Sequence, residues 1–239
     1  MILRVENLVK YFGGLAAVNG LSFSMEEDEI LGMIGPNGSG KTTVFNLISG
    51  VLKPTSGDVY YKERKITGLR PHKIAKMGIA RTFQIPQPFA RMSVLENVMV
   101  GSMFGGNEPT HEARRRAEEL IEMVGLGDKM YTSSEGLTSQ DRKRLELARA
   151  LASEPKLLLL DEIMAGLTPT EIENLIKLLF EIHKSGVTLL VVEHVMRAVM
   201  KLSRRIIVLH QGKLLMEGTP KEVANNEEVI KVYLGERHA

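Results

Sequence analysis

The chain moves between two rhythms of apolar and polar residues. Alternation, or a short unbroken apolar run, marks a strand; apolar residues at i, i+3, i+4 mark a helix. Ile2-Leu3-Arg4-Val5 and the alternating Leu21-Ser22-Phe23-Ser24-Met25 predict short N-terminal strands, and residues 29–34 form an apolar run of strand length. Residues 43–50 have helical spacing and stop at Gly50. Strand-like Asp58-Val59-Tyr60-Tyr61 follows a Pro/Gly turn, and Pro71 suits the first turn of a short helix. Residues 79–84 read as a strand, whereas Ile85-Pro86-Gln87-Pro88-Phe89 is stiff, extended and unable to be helical. Residues 93–153 are mostly helical, with Leu95/Val98/Met99 and Ala113/Ala117/Leu120/Ile121/Val124 in phase and breaks at Gly101, Gly105-Gly106, Gly125 and Gly127. From Lys156 the rhythm returns to strands. Residues 157–160 and 187–192 are continuously apolar and separated by a helical stretch from about Pro169 to Lys184, the mark of parallel strands buried on both faces and joined by a crossover helix. Residues 205–209 and 213–217 flank His210-Gln211-Gly212 as a hairpin, and small helices finish the chain. The expected fold is α/β: antiparallel N-terminal strands and a mixed, largely parallel core sheet from residues 1–86 and 156–239, with a helical subdomain inserted at about 87–155.

Composition narrows the picture modestly. The 239 residues suffice for one large domain or two unequal lobes, and 44% hydrophobic with 25% charged residues is ordinary for a globular protein. A net charge of +2 gives no sign of a nucleic-acid partner. The absence of cysteine removes disulfides and thiolate-ligated metal from consideration. No apolar run reaches the ~18 residues that span a bilayer, and the first residues lack a secretory layout, so a membrane role is expected only through a partner. The 13 methionines are read as core filling. Arg114-Arg115-Arg116 is followed by Glu118 and Glu119 at helical pairing distance, which favours a solvated face over a binding patch.

The chemistry starts at Gly35-Pro36-Asn37-Gly38-Ser39-Gly40-Lys41-Thr42, which fits G-x-x-x-x-G-K-[ST] between a strand and a helix. Glycines let backbone N–H groups close on phosphate oxygens, and the helix N-terminus adds a positive dipole. Asn37, Gly38, Ser39 and Gly40 line such a loop; Lys41 would reach the β/γ-phosphates, Thr42 would ligate Mg²⁺, and Thr43 is a further phosphate contact. Residues 157–160 end in Asp161-Glu162, where an aspartate holds Mg²⁺ and the next carboxylate polarises the attacking water. His194 ends a second core strand, where ligands of open α/β sheets gather. Gln84 would reach Mg²⁺ or the water through its amide. Tyr11 and Phe12, beside Gly13-Gly14, offer a ring to a nucleotide base.

The ordered set GPNGSGKTT, RTFQ, LTSQDRKRLELARAL, LLLLDE and VVEH resembles an ATP-binding cassette (ABC) ATPase over essentially the whole chain. The resemblance implies ATP hydrolysis with Mg²⁺, a two-lobed P-loop fold and action as a dimer. It makes Phe12, ahead of Tyr11, the base-stacking aromatic, and Lys41 and Thr42 the Walker A phosphate and metal residues. Gln84 becomes the Q-loop glutamine, Asp161 the Walker B aspartate, Glu162 the general base and His194 the switch histidine. Catalysis is thus assigned to Glu162, His194, Lys41 and Gln84, and the metal to Thr42, Gln84 and Asp161. RTFQIPQPF, MSVLENVMVG and the ending VIKVYLGE look most like importer ATPases for branched-chain amino acids, with urea and amide importers close behind. Implied partners are a second ATPase subunit in a homo- or heterodimer, two membrane permeases and, indirectly, a periplasmic or extracellular solute-binding protein, with the chain on the cytoplasmic face of the membrane. The apolar, stiff residues 85–89 are the candidate to receive a permease helix.

Two departures from the family pattern bear on function. Leu137-Thr138-Ser139-Gln140-Asp141 stands in place of the signature LSGGQ. Thr138 keeps a hydroxyl, but Ser139 and Gln140 put β-carbons where glycines let backbone approach a γ-phosphate and adopt left-handed conformations. Asp161-Glu162 is followed by Ile163 instead of proline, and Ala165-Gly166-Leu167-Thr168 lacks the D-loop aspartate. A signature acts on the partner's nucleotide, so a heterodimer is expected in which a second ATPase supplies the better one. Rival readings are a lipid or lipopolysaccharide exporter, disfavoured by RTFQ; a soluble ABC protein on ribosomes or DNA, disfavoured by the single cassette; and a non-hydrolysing regulatory subunit, disfavoured by Asp161, Glu162 and His194.

Overall fold

The computed structural model describes residues 1–106 and 109–235, without the side chains of 234 and 235. Glu236, the last residue of the VIKVYLGE ending, lies outside them. In chain order the elements are β1 (Leu3–Phe12), β2 (Leu15–Met25), β3 (Ile30–Ile34), α1 (Lys41–Ile48), β4 (Ser56–Tyr61), β5 (Arg64–Lys65), α2 (Pro71–Ala75) and β6 (Ile79–Arg81). There follow α3 (Val94–Gly101), a π-helical turn at Ser102–Gly106, α4 (Thr110–Met123), 3₁₀ turns at Gly127–Lys129 and Ser134–Gly136, α5 (Ser139–Leu151) and β7 (Leu157–Asp161). The chain closes with α6 (Pro169–Lys184), β8 (Thr188–Val192), α7 (Met196–Leu202), β9 (Arg205–His210), β10 (Lys213–Gly218), α8 (Pro220–Asn225) and α9 (Glu227–Gly235).

Two compact units emerge: Met1–Ile74 with Thr188–Ala239, and Ala75–Val187. In the first, β2-β1-β4-β5 form an antiparallel sheet. Its second sheet runs β10-β9-β3-β8, with β3 parallel to both β8 and β9 and β10 closing the edge as an antiparallel hairpin. Every residue of β3 and of β8 is buried, so both faces are covered, which is why these strands read as unbroken apolar runs. Ile34, Val199, Ile206, Val208, Val223 and Val229 form a core beneath them, with Met196, Met200 and Met216 packed against it. The second unit pairs β6 and β7 in parallel and carries α3 to α6. The helices expected at about 87–155 therefore lie in a larger unit that also takes in β6, β7 and α6.

Several boundaries differ from the sequence reading for local reasons. The N-terminal strands are long, joined at Gly13-Gly14; register shifts after Val5 and Leu8 and a positive φ at Asn7 interrupt the alternation that would have revealed them. The strand expected through Gln84 stops at Arg81: Thr82 N–H still bonds the Leu159 carbonyl, but the chain then leaves β7 toward Pro86 and Pro88, which cannot donate to a ladder. Helix α1 starts at Lys41, two residues before the apolar spacing indicated, so Lys41 and Thr42 belong to its first turn. The methionine reading holds only in part, since Met25, Met33 and Met164 are fully buried while Met92 and Met123 are exposed.

Candidate functional site

In the first unit, β3 delivers the chain into the glycine loop and α1 leads it out. Gly38 and Gly40 have φ of +74° and +106°, and a β-carbon on Gly40 would collide with the Ala17 carbonyl, so glycine is required for conformation at both positions and for space at the second. The loop is braced from β9–β10: Gly212 N–H donates to the Ser39 carbonyl at 3.0 Å, and its own carbonyl accepts from Asn19 N–H at 2.8 Å. Lys41 is only 5% exposed, with its ammonium turned back into the loop to the carbonyls of Gly35 at 2.7 Å and Pro36 at 2.8 Å and to Ser39 Oγ at 3.4 Å. An ammonium already directed into the loop by its carbonyls lies where the phosphate oxygens of an anion would meet it. Asn37, Gly38 and Thr42 are exposed at the loop mouth, with Thr43 half-buried behind them and Ser39 buried.

His194 leaves β8 beyond the buried Glu193 and is exposed. Because Met33 pairs with Val192, β3 and β8 end side by side, and His194 and the glycine loop depart from the same edge of that sheet. Tyr11 and Phe12, 45% and 47% exposed, close β1 at the hairpin tip, with the Lys10 ammonium 5.2 Å from the Phe12 ring. Both rings remain open to a base.

In the second unit, Asp161 ends β7 at 1% exposure and accepts from Arg81 Nη2 at 3.1 Å, while its N–H donates to Thr82 Oγ1 at 3.1 Å. Burial draws the Arg81 guanidinium below its ordinary value, and Asp161 opposes that shift. Glu162 follows with φ +51°, an unusual conformation for a residue with a β-carbon, and strain of this kind gathers at functional positions. Its carboxylate accepts from Gln84 Nε2 at 2.7 Å. Gln84, Asp161 and Glu162 are therefore brought together, and Arg81 joins them. The sequence reading quoted RTFQ but assigned nothing to its arginine.

The signature stretch opens α5. Thr138 is its N-cap: Oγ1 accepts from Asp141 N–H at 3.1 Å and donates to Asp141 Oδ2 at 2.7 Å, so the hydroxyl expected to serve a partner's nucleotide is committed to the helix end. Burial raises the Asp141 carboxyl, but hydrogen bonds from Lys129 and Thr138 outweigh it and leave Asp141 below the usual carboxylate range. Ser139 and Gln140 lie in the first turn of α5 and neither has a positive φ, which corrects the expectation of left-handed strain there. Gln140 Nε2 instead donates to Glu171 Oε1 at 2.7 Å, drawing its side chain toward α6, where Glu171 closes a capping box with Thr168.

Among the described residues no group of three or more His, Cys, Asp or Glu could hold a metal by itself. Mg²⁺ keeps several waters and takes one or two protein oxygens together with substrate phosphates. The Thr42 hydroxyl, the Asp161 carboxylate and the Gln84 amide oxygen are hard donors of the kind it needs. No helix among the described residues is long and apolar enough to cross a membrane.

Comparison with known proteins extends this geometry. The family described as ABC transporter matches residues 18–165, and one described as branched-chain amino acid ATP-binding cassette transporter matches 213–239. The high-affinity branched-chain amino acid transport ATP-binding protein LivG of Salmonella typhimurium is 42% identical over 98% of both chains. BraF of Pseudomonas aeruginosa, which carries the same description, is 40% identical over 98% of both chains. A crystal structure of an ABC transporter's ATP-binding cassette in its ADP conformation superposes with a TM-score of 0.88 at 34% identity, covering 98% of each chain. A dimeric cassette in a post-hydrolysis state with ADP and Pi gives 0.84 at 29% identity, covering 92% of this chain and 99% of the other. Carrying that family's match over more than half its length and whole-length relatives beside it, the chain belongs to the ABC transporter family as an ATP-binding, ATP-hydrolysing subunit.

Proposed function

We propose that this subunit energises uptake of a small polar solute, branched-chain amino acids ahead of urea or amides. Support for the solute comes from relatives named for branched-chain amino acid transport at 40–42% identity and from the match of residues 213–239. One observation carries the catalytic half: Gln84 and Glu162, 78 residues apart in sequence, meet at 2.7 Å directly after the buried Asp161.

In this reading the N–H groups of residues 37–43 receive the β- and γ-phosphates, and Lys41 exchanges the loop carbonyls for phosphate oxygens. Phe12 stacks on the base. Thr42, Gln84 and Asp161 would hold Mg²⁺, which would supply neutralisation of the phosphate charge. Glu162 orients the attacking water, Gln84 fixes the Glu162 carboxylate, and His194 with Lys41 meets the charge that develops in the transition state. Little covalent chemistry is asked of the protein, so positioning and electrostatics carry the rate. Thr138, Ser139 and Gln140 face the nucleotide of a second ATPase subunit. Residues 85–89, where Ile85 is 73% and Phe89 45% exposed, take a helix from a membrane permease, with the subunit peripheral on the cytoplasmic face and the solute-binding protein engaged only indirectly.

Glu162→Gln is expected to bind ATP normally and to lose turnover by about 10²-fold or more, the range for a removed general base. Near-normal hydrolysis by that variant would take Glu162 out of the role. Stimulation of the reconstituted transporter's ATPase by urea and not by leucine would overturn the solute assignment.

A further inference from the structure

Strand pairing does not by itself fix the ring offered to the base. The partners of β1 along β2 shift register between Lys10 and Tyr11, and the chain turns back at Gly13-Gly14, so alternation does not decide which way Tyr11 and Phe12 face. Side-chain contacts decide it. The Lys10 ammonium lies over the Phe12 ring, 5.2 Å from its centre, inside the ~6 Å reach of a cation–π contact. It is anchored there, because it donates to the Lys53 carbonyl at 2.9 Å. The turn at residues 53–55 is in turn pinned to β1: Thr55 N–H donates to the Val9 carbonyl at 2.8 Å, and Thr55 Oγ1 accepts from Tyr11 N–H at 3.1 Å. That turn leads out of α1, where Leu52 N–H reaches back to the Asn46 carbonyl at 2.9 Å. A line of contacts thus runs from the Phe12 ring through Lys10 and Lys53 to the helix whose first turn carries Lys41 and Thr42.

We propose that Lys10 is a positioning residue for nucleotide binding, covering one face of the Phe12 ring and presenting the opposite face to the base. The inference rests on the reading of Phe12 as the base-stacking ring. An exposed ring that turns freely loses that freedom when a base stacks on it, and the loss subtracts from affinity. A cation fixed over one face removes the freedom beforehand. It also draws the ring's π-electrons toward itself, so the opposite face meets the π-cloud of the base with less repulsion. Phe12 is still 47% exposed with Lys10 in place, which leaves ring surface for the base. Lys10 acts on the base end of the nucleotide and only through the ring, whereas Lys41 acts on the phosphates directly. Removing Lys10 is therefore felt only by a ligand that carries a base.

The test uses the full chain carrying Glu162→Gln, so that ATP persists. It compares equilibrium binding of Mg-ATP with that of magnesium tripolyphosphate, which offers the phosphates without the base. The variants are Lys10→Met, which keeps the aliphatic stem and removes the cation; Lys10→Arg, which keeps a cation and a donor; Phe12→Ala; and Lys10→Met with Phe12→Ala. Expected is a loss of Mg-ATP affinity of about three- to fivefold in Lys10→Met, with tripolyphosphate affinity unchanged and Lys10→Arg close to the parent. Phe12→Ala should lose about tenfold, and adding Lys10→Met to it should cost nothing more. Equal losses for both ligands would put Lys10 on the phosphates and overturn the proposal. So would a lowered melting temperature with neither affinity moved, the mark of a mere staple between β1 and the 53–55 turn, or a Lys10→Met loss that persists in full without the ring. Phe12→Ala that binds Mg-ATP like the parent overturns the reading of Phe12 itself, and the proposal with it; a loss in Phe12→Ala with none in Lys10→Met overturns the proposal alone.

Discussion

Tyr61 buries its hydroxyl in the first unit beside Leu3, at 3% exposure and with no hydrogen bond, and burial, aided by Glu27, raises its phenol to about 12 from 10.0. A buried hydroxyl without a partner costs about 1–3 kcal/mol, so Tyr61→Phe is expected to leave stability unchanged or raise it by about 1 kcal/mol at neutral pH. The sign of the pH effect follows from the raised value. The phenol's contribution is fully present below pH 10.0 and is lost as pH rises toward 12, because only the unfolded chain ionises there. The melting-temperature advantage of Tyr61→Phe should therefore grow between pH 10 and 12; an advantage that shrank across that window would contradict the account. Asn97 is the opposite case. It is fully buried, accepts from Phe89 N–H at 2.8 Å and donates to the carbonyls of Phe89 at 3.1 Å and Ser93 at 2.9 Å, so Asn97→Ala strips a turn of its partners at an expected cost of about 2–4 kcal/mol in urea unfolding. At this scale the sequence was uneven. Lys41 and Asp161 were legible because their motif spacing carries the chemistry with it. Arg81 and Asn97 were not, because nothing local distinguishes a buried ion pair made across 80 residues, or a loop-pinning amide, from an ordinary polar face.

Among the elements, the glycine loop gives the sharpest contrast. Gly38 needs a positive φ but has nothing within 4 Å of a would-be β-carbon, so Gly38→Ala is expected to cost about 1–2 kcal/mol through conformation alone. Gly40 adds the collision with Ala17, and Gly40→Ala should cost about 2–5 kcal/mol and displace the start of α1, with ATP affinity falling further than in Gly38→Ala. Equal losses in thermal melts and nucleotide titrations would mean that the close approach of the Ala17 carbonyl to Gly40 does not shape the loop. Strands β3, β7 and β8 were readable because two covered faces leave no polar interruption. The capping boxes at Ser93/Glu96, Thr168/Glu171 and Thr219/Glu222 stand in the sequence as S/T-x-x-E and mark three helix starts more sharply than apolar spacing does. Hidden were α7, whose seven residues span only two turns, and β5, a two-residue pairing.

On the proposed reading, in which the signature of one subunit faces the nucleotide of another, the assembly turns on how α5 begins, and a chain's own sequence carries only one half of that contact. Gln140 leans onto Glu171, Thr138 is spent on capping, and Ser139 is exposed at the helix end, so the geometry relieves backbone strain without restoring the bare surface that glycines would give. Two side chains at the first helical turn would hold an approaching phosphate away from the N–H groups that would otherwise bind it. Glu162→Gln, trapped with Mg-ATP, is therefore expected to stay monomeric by light scattering. The double change Ser139→Gly/Gln140→Gly in that background should restore an ATP-dependent rise to dimer mass, provided Thr138 and Asp141 keep the cap. Mixing the Glu162→Gln chain with a second ATPase bearing LSGGQ should also produce a nucleotide-dependent complex, whose ATPase with wild-type subunits comes from one site rather than two. A Glu162→Gln chain that dimerises on its own with Mg-ATP would show that Thr138-Ser139-Gln140 closes an ATP sandwich as it stands. The heterodimer would then be unnecessary, and the turn of Gln140 toward Glu171 would be what clears the way.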